Sequence, residues 1–594
     1  MTETARRTTQ SKPFQIGLSL SGAVSAGAYS AGVLDFLIEA LSEWYDAKAR
    51  GEPGVAGHDV FISVMAGASA GGVAAALGAL SASAGLLKSE AEYAEVGTVR
   101  YALPELFEAW VKRPRLMPDQ AGPAGDGRAS LLDLHDLQSG TADAAQIASV
   151  FDTTVLDLVA KEVMAGADTG RKRYPFFSEP MHLFLTLTNL DGVPYRLGKG
   201  TTVTVHADRA HFAIHGLGTT PFPSDECTWL SQWGDEGVAL DLSVPLPQEP
   251  PRREVQLLVN AVLGTCAYPM GLAARRIPYH PSDYGARAWT IESTYLEKFE
   301  GKPIDCLWRG DLDRELGFNA VDGGVTDNDP FSIARFTIRD MRTGRNPREA
   351  ERADRAVISI APFPDAPSKD LLDPSPGPGN SLPLLAVLGG LLPAMTRQAR
   401  LKITDILDAE DPDTFSRYVI TPTAPTTRRG TRSDQLACAA VAAFGGFIDE
   451  SFRAHDFQLG RRNCQRFLSD HFMLDAANPV FGGTGRSSSR NGEDPDYRPI
   501  VPLHGSAREP IAAPGWPTID AGKLAQLQDR AEVRIGALAD RFLAPMLVGR
   551  WALTRWLIRR FVTAETNALA GKLAQHVEAQ LAETGQFRPS GKKK

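Results

Sequence analysis

Two short apolar runs near the start of the chain are each followed by a turn of small residues and then by a longer apolar stretch of helical character. The runs cover residues 14–20 and 59–65. Short, continuous apolar runs are typical of strands buried on both faces of a parallel sheet, and successive strand–turn–helix units place helices over that sheet. The pattern therefore predicts an α/β fold with a mostly parallel central sheet.

The pattern along the rest of the chain divides it into regions. Residues from about 89 to 180 favour helices and loops and are predicted to form a helical insertion, whereas the runs 182–188 and 356–361 favour further strands. The predicted organisation is a polar tail at 1–13, a core at 14–335 that contains the insertion, a completion and extension of the core at 336–477, a linker or long loop at 478–517, and a C-terminal helical region at 518–594.

The composition is that of a globular protein with a large core. The 594 residues are 43% hydrophobic and 23% charged, which allows more than one domain. A net charge of −8, spread over mixed acidic and basic residues, argues against a general nucleic-acid binder. The five cysteines are scattered and form no C-x-x-C pair, which fits a reducing compartment and favours neither a disulfide framework nor a zinc site.

Two features of the sequence bear on membranes. No apolar segment of the signal-peptide kind follows the polar residues 1–13, and no run of about 18 apolar residues occurs. We therefore predict a cytoplasmic protein without a signal peptide or transmembrane helix.

The stretch 546–561 mixes bulky apolar, tryptophan and arginine residues, and it has two interpretations. One is a helix in peripheral contact with an anionic membrane; the favoured one is a helix docked on the body of the protein.

The second apolar run leads directly into a motif that suits a nucleophile. The turn at 67–71 reads Gly-Ala-Ser-Ala-Gly, a G-x-S-x-G pattern between a predicted strand and an Ala-rich helix. In that setting Ser69 lies on a strained turn with its hydroxyl exposed, while Gly67 and Gly71 let neighbouring backbone pass closely. The motif makes Ser69 the candidate nucleophile; its alternative is a turn without chemistry.

The first apolar run ends in a loop of small residues, Ser21–Gly27, before a helix begins. A strand, such a loop and a helix in this order present backbone N–H groups to an anion. The spacing of Gly22, Gly27 and Gly32 does not match G-x-G-x-x-G, and no G-K-[ST] follows, so a phosphate is the weaker candidate. The stronger candidate is the oxyanion that forms when a nearby serine attacks a carbonyl group.

A third stretch supplies a candidate general base. Asp322 ends a β-type segment and precedes Gly323 and Gly324, so its side chain is expected to project from a tight turn at the edge of the sheet. A serine usually relies on a histidine, but none of the 11 histidines follows a late strand in a small-residue turn. Asp322 can accept the serine proton itself if burial raises its pKa. The alternative is a solvated Asx turn.

Taken in order, four stretches of the chain resemble those of the patatin-like phospholipases. They are the loop and helix start at 20–34, the serine motif at 67–71, the turn Thr265–Pro269, and Asp322-Gly323-Gly324-Val325 with Asn328 and Pro330. The resemblance covers residues from about 16 to 330. It implies a three-layer α/β/α patatin-like sandwich and a serine acyl hydrolase with a Ser69–Asp322 dyad. The implied substrates are phospholipids or other lipids, and neither a metal nor a cofactor is implied.

The same hypothesis assigns the oxyanion hole to backbone N–H groups of Gly22, Ala23, Val24 and Ala70. Where the family loop is typically G-G-G-x-[RK]-G, this chain has alanine and valine at the second and third positions. A positive φ at Val24 would cost on the order of 1–3 kcal/mol. Losing one oxyanion donor typically slows the reaction about 100- to 1000-fold. Two alternatives therefore stay open: a non-lipid esterase or acyltransferase, and a weakly active scaffold that binds a membrane or a partner.

Overall fold

A computed structural model of the chain describes most of its residues. They are 12–87, 100–117, 130–138, 147–166, 171–197, 201–223, 237–246, 251–285, 305–308, 313–339, 346–363, 413–423, 435–482, 497–543 and 552–588, with the single residues 311, 394, 399 and 411. The backbone alone is described at 162–166, 305–306, 543 and 552–565.

The described strands form an 11-stranded sheet and two separate strand pairs. The strands are β1 Phe14–Leu20, β2 Val60–Gly67, β3 Tyr174–Leu197, β4 Thr201–His215, β5 Gly218–Pro221, β6 Val238–Asp241, β7 Arg275–Tyr279, β8 Asp305–Cys306, β9 Leu316–Asp322, β10 Arg355–Ile360, β11 Arg417–Ile420, β12 Met473–Asp475, β13 Tyr497–Pro499, β14 Ile519–Asp520 and β15 Phe587–Arg588. The main path through the large sheet is β11-β10-β1-β2-β3-β4-β6.

The centre of the large sheet is parallel. All neighbours from β11 to β3 run parallel, and β4 runs antiparallel to β3. Every residue of β1, β2 and β10 is buried, as expected for strands that are covered on both faces. The predicted α/β class with a mostly parallel central sheet is confirmed.

Helices cover this sheet, and further helices form the C-terminal part of the chain. They are α1 Gly27–Ala49, α2 Ser69–Ala84, α3 Thr154–Gly166, α4 Arg253–Thr265, α5 Phe331–Thr337, α6 Glu450–Asp470, α7 Ala521–Leu543 and α8 Ala552–Glu583, with the short helices Pro104–Phe107, His135–Gln138 and Ser282–Gly285 and a π-helical turn at Glu108–Lys112. Helices α7 and α8 pack against each other.

Buried charges join α6 to α1. Arg461 on α6 donates to the carboxylates of Glu39, at 2.6 Å, and Asp35 on α1. Asp35 also accepts the N–H groups of Ala102 and Leu103 at 3.0 and 2.7 Å. A buried charge is tolerated only when it is paired in this way, so this ion-pair cluster fixes the position of α6 on the core.

One apolar helix is long enough to cross a membrane by length and composition. It covers Val24–Ala49, and 94% of its 18-residue apolar stretch is buried inside the protein. Such burial is typical of the core helix of a folded domain. No other helix within the described ranges meets the same criteria.

Three regional predictions are refined by the structure. Strand β3 begins at Tyr174, so the insertion ends earlier than residue 180. Ile500 and Val501 are fully buried in the core, so this part of 478–517 is a packed loop and not a linker. In the C-terminal region, Arg534 on α7 donates to the carbonyl oxygen of Val150 at 2.9 Å, which docks α7 on the insertion. The side chains of the basic and aromatic stretch 546–561 lie outside the described residues.

Strand β3 pairs with three different strands, β2, β9 and β8, along one of its edges. Because β4 occupies the other edge along most of its length, β2 and β9 share the edge that is left. Strand β2 ends with Gly67 opposite Leu185, and the antiparallel β9 ends with Asp322 opposite Leu187. The two strands therefore meet end to end, which brings the turn after β2 beside the last residue of β9.

Candidate active site

Ser69 lies on a strained turn between β2 and α2. Its φ is +51°, in the left-handed region that non-glycine residues rarely adopt, and it follows an extended Ala68. The N–H of Ser69 donates to Thr265 Oγ1 at 2.9 Å, which fixes the turn. A Cβ on Gly71 would lie 2.2 Å from the carbonyl oxygen of Leu20, so only glycine allows α2 to pass β1 this closely. The predicted strand–turn–helix context of the serine is confirmed.

Asp322, the last residue of β9, faces the serine. Its Oδ2 accepts the hydroxyl of Ser69 at 2.7 Å, and its Oδ1 accepts the N–H of Gly324 at 2.7 Å. Its backbone is anchored as well, because its N–H donates to the carbonyl oxygen of Ala267 and its own carbonyl oxygen accepts from Thr188 Oγ1. Only 7% of Ser69 and 4% of Asp322 is exposed. Both side chains are thus held in one geometry and shielded from water.

Burial changes the acidity of the Asp322 carboxyl. Its removal from water raises its pKa from 3.8 to about 6, and the hydrogen bonds from Ser69 and Gly324 offset only part of that rise. A carboxyl with this pKa is ionised at neutral pH and is still basic enough to accept a proton during a reaction. The arrangement suits a serine hydroxyl whose proton passes to a carboxylate.

Within the described part of the chain, the side chain beside the Ser69 hydroxyl is a carboxylate and not a histidine. The buried histidines have other partners. His182 and His211 contact each other at 2.9 Å, and His455 contacts the carboxylate of Asp456 at 2.8 Å. Among the described residues, the partner of the serine hydroxyl is therefore Asp322.

The turn at Thr265–Pro269 joins the serine to the aspartate. Thr265 accepts the N–H of Ser69, and Ala267 accepts the N–H of Asp322 at 3.0 Å. From the sequence, this turn contributes to the family resemblance and has no assigned role. The structure gives it the role of setting the distance between Ser69 and Asp322.

The loop after β1 passes directly over the serine. A Cβ on Gly22 would lie 3.0 Å from the Cβ of Ser69. Val24 has a φ of +48°, the left-handed conformation whose cost we considered from the sequence, and it lines the same cavity as Ser69. The loop thus adopts a strained backbone at a β-branched residue, and surrounding contacts must hold it there.

The candidate oxyanion donors differ in what they already bind. The N–H of Gly22 donates to the carbonyl oxygen of Asn328 at 3.1 Å, so the assignment of Gly22 to the oxyanion hole is corrected. Among the described residues, the N–H groups of Ala23, Val24 and Ala70 find no hydrogen-bond acceptor. Ala70 lies in the first turn of α2, where no intrahelical acceptor exists. These three donors are the candidates for an oxyanion hole.

An apolar cavity of about 150 Å³ opens next to the pair. Its lining combines residues of the loop after β1, α2, the insertion, α4 and a distant segment near residue 445. The lining residues are Val24, Ser69, Ala70, Val73, Leu77, Ala109, Trp110, Arg113, Pro114, Arg115, Leu131, Phe151, Val155, Leu156, Val159, Ala160, Val262, Leu263, Cys266, Tyr268, Leu272, Asp322, Phe444 and Phe447. Such a mostly apolar cavity suits the hydrocarbon part of a substrate whose ester group lies at Ser69.

Part of this wall was missed by sequence reasoning. Trp110 and Leu131 belong to the predicted helical insertion, and both line the cavity. Phe444 and Phe447 were not expected there. They belong to a short segment without a motif, and only the tertiary packing of that segment brings them near Ser69.

The fold and the site together define a mixed α/β protein with a serine–carboxylate pair at the ends of its sheet strands, next to an apolar cavity. The chain is 35% identical over 571 residues to the uncharacterized protein y4iI of Sinorhizobium fredii (strain NBRC 101917 / NGR234). The match covers 91% of this chain and 78% of that protein. The chain therefore belongs to the same family as y4iI. No family model matches the chain.

Proposed function

We propose that the protein is a serine acyl hydrolase that cleaves ester-linked fatty acids from phospholipids or other lipids. The observation that carries the proposal is the 2.7 Å hydrogen bond from Ser69 Oγ to Asp322 Oδ2 beside an apolar cavity. A serine hydroxyl is a weak nucleophile until a base removes its proton, and a buried carboxylate with a raised pKa can do so. The order of motifs that resembles the patatin-like phospholipases supports the same proposal.

The proposed reaction has two halves. In the first, Ser69 Oγ attacks the ester carbonyl carbon while its proton moves to Asp322, and the N–H groups of Ala23, Val24 and Ala70 stabilise the oxyanion. Collapse of the tetrahedral species expels the alcohol, which takes the proton from Asp322, and leaves an acyl group on Ser69. In the second half, water gives its proton to Asp322 and attacks the acyl group. The fatty acid leaves, and the proton returns to Ser69 Oγ.

The apolar lining supports a hydrocarbon substrate. Val73 and Leu77 on α2, with Phe151 and Val155 from the insertion, offer the acyl chain contacts that exclude water. Arg113 and Arg115 also line the cavity.

Labelling with a fluorophosphonate tests the proposal, because it requires an activated serine. We expect labelling of the wild type at Ser69 and of the Ser83→Ala variant, a matched change of a buried serine on the same helix. Ser69→Ala should lose labelling and the release of fatty acid from phospholipid vesicles. Turnover that survives in Ser69→Ala overturns the proposal. Hydrolysis of short p-nitrophenyl esters without release from vesicles would favour the non-lipid esterase, and a wild type that is neither labelled nor active would favour a binding scaffold.

For the stretch 546–561 we keep the docked helix as the favoured proposal, and the alternative is a cytoplasmic protein that contacts anionic membranes peripherally through this stretch. Phe542, the described neighbour of this stretch at the end of α7, is 61% exposed, which supports an apolar contact with a lipid surface. Flotation with anionic vesicles tests this, and absence of the protein from the lipid fraction would contradict it.

A further inference from the structure

Three consecutive residues of the chain, Val441–Ala443, have a left-handed backbone. Their φ values are +56°, +52° and +69°, and none of them is glycine. We call them the left-handed segment. Single residues of this kind occur in turns, but three in succession persist only where surrounding contacts hold them. The partners of this segment therefore indicate its role.

On one side, the left-handed segment is bound to the loop over the serine. Both the N–H and the hydroxyl of Ser25 donate to the carbonyl oxygen of Ala443, and the hydroxyl accepts the N–H of Gly446 at 3.0 Å. A Cβ on Gly446 would lie 2.5 Å from Ser25 Oγ, so glycine is required for this approach. Ser25 is fully buried and directly follows Val24. Its three hydrogen bonds thus restrain the residue that carries a candidate oxyanion donor.

On the other side, the left-handed segment is bound to the C-terminal helix. Gln580 on α8 accepts the N–H of Val441 through Oε1 at 2.7 Å. Just after α8, the fully buried Gln586 donates to the carbonyl oxygen of Ala437 at 2.8 Å. A continuous path of contacts therefore runs from α8 through the left-handed segment and Ser25 to the loop over Ser69.

We propose that Gln580 is a positioning residue for the oxyanion loop, so that the C-terminal helix sets the reactivity of Ser69. Without its acceptor, the part-buried N–H of Val441 loses its hydrogen bond within the protein, and the left-handed segment relaxes towards ordinary backbone conformations. Ser25 then loses its fixed partner, and the N–H of Val24 moves from its position beside the reacting oxygen. This inference rests on the proposed acyl hydrolase function and adds a control of that site by a distant part of the chain.

The test compares three changes on α8 in the full-length protein. Gln580→Ala removes the acceptor, Gln580→Glu keeps an acceptor at the same place, and Gln575→Ala changes an exposed glutamine of the same helix as the matched control. We expect Gln580→Ala to lower kcat on a p-nitrophenyl ester about 10- to 100-fold with little change in KM, because misplaced donors act on the transition state. Gln580→Glu should stay within about threefold of the wild type, and Gln575→Ala should equal it.

Two further measurements separate positioning from mere loss of structure. Affinity for a trifluoromethyl ketone, which forms an oxyanion on the serine, should fall in Gln580→Ala by the same factor as kcat/KM, while affinity for an uncleavable ether analogue should not change. Hydrogen exchange of the peptide that covers residues 20–30 should rise in Gln580→Ala and not in Gln575→Ala. This second readout does not depend on any enzymatic activity.

The outcomes for the two proposals are distinguishable. If Gln580→Ala equals Gln575→Ala in kcat and in exchange of the loop, the positioning role is overturned and the proposed hydrolase stands. If the wild type shows no turnover and no labelling, the hydrolase falls, and exchange alone decides whether α8 restrains the loop. Ser25→Ala provides a variant from the other end of the path. Combined with Gln580→Ala, it should lower kcat by less than the product of the two single effects.

Discussion

Ser69 and Asp322 share a 2.7 Å hydrogen bond although 253 positions of sequence separate them. They meet because β2 and β9 each pair with β3 along the same edge. The turn at Thr265–Pro269 also forms hydrogen bonds to both Ser69 and Asp322. The pair is therefore a product of the sheet, and it is sensitive to changes in the residues that hold it.

Ester hydrolysis should rise with pH through about 6 and level off above it. Asp322 must be ionised to accept the Ser69 proton, and burial raises the pKa of its carboxyl to about 6. The profile of kcat/KM between about pH 4 and 9 checks this, with protein stability monitored at each pH. A rate that is flat across this range would contradict the assignment of Asp322 as the base.

The same raised pKa should lower the stability of the protein as pH rises. The folded state holds the Asp322 proton more tightly than the unfolded state, so this contribution to stability is complete below about pH 3.8 and is lost as pH rises through about 6. The loss corresponds to about 3 kcal/mol. Asp322→Asn removes the titration. In urea unfolding, the free energy of unfolding of the variant should therefore rise by about this much relative to that of the wild type between acidic and neutral pH. An unchanged difference would indicate an ordinary pKa.

Thr265→Ala should weaken both the fold and the reaction. Removal of Oγ1 leaves the buried N–H of Ser69 without its 2.9 Å acceptor, a loss of about 1–3 kcal/mol. The serine turn then relaxes, and kcat should fall. Thr265→Ser keeps the acceptor and should retain most of both properties. Urea unfolding and ester kinetics of the two variants check the prediction, which fails if serine and alanine behave alike.

Two substitutions of Val24 should have opposite outcomes. Val24→Gly keeps the N–H and adopts a φ of +48° without strain, so kcat should change little. Val24→Pro removes the N–H and cannot adopt that φ, so kcat should fall about 100- to 1000-fold. Ester kinetics on both proteins, with circular dichroism to verify folding, distinguishes them. Equal activity of the folded proline variant would exclude Val24 as an oxyanion donor.

Filling the cavity should change which esters are cleaved. Leu77→Trp on α2 takes up space in the cavity of about 150 Å³ and should lower kcat/KM for a long-chain p-nitrophenyl ester at least about tenfold relative to the acetate. Leu77→Met, which conserves volume, serves as the control. If both variants lose activity on the two esters equally, the cavity does not hold the acyl chain.

Local patterns were sufficient to predict much of the framework. Strand β1 has the predicted bounds, residues 14–20, because a short, continuous apolar run between polar segments is typical of a buried strand. The pairing of Ser69 with Asp322 was also expected, because a serine needs a base and because the order of the motifs resembles that of the patatin-like phospholipases. The strand depends on neighbouring residues alone, whereas the pairing was reached through the resemblance.

Long-range partners were not predictable in the same way. The N–H of Gly22 was expected to face a substrate but donates to Asn328, and no local pattern reveals which carbonyl lies opposite a loop. Likewise, Phe444 and Phe447 join the cavity through tertiary packing alone. Such contacts depend on the whole fold, so propensity and motif reasoning do not reach them.

Because β2 and β9 share an edge of β3, the distance between Ser69 and Asp322 depends on the number of residues along β3 between their partners. Gly67 lies opposite Leu185 and Asp322 opposite Leu187, so two steps along one strand separate the end of the serine's strand from the aspartate. Adding or deleting one residue between these positions would turn the side chains beyond it to the opposite face of the sheet. Loops elsewhere can lengthen at low cost, but the number of residues in this interval must stay constant for Ser69 and Asp322 to meet.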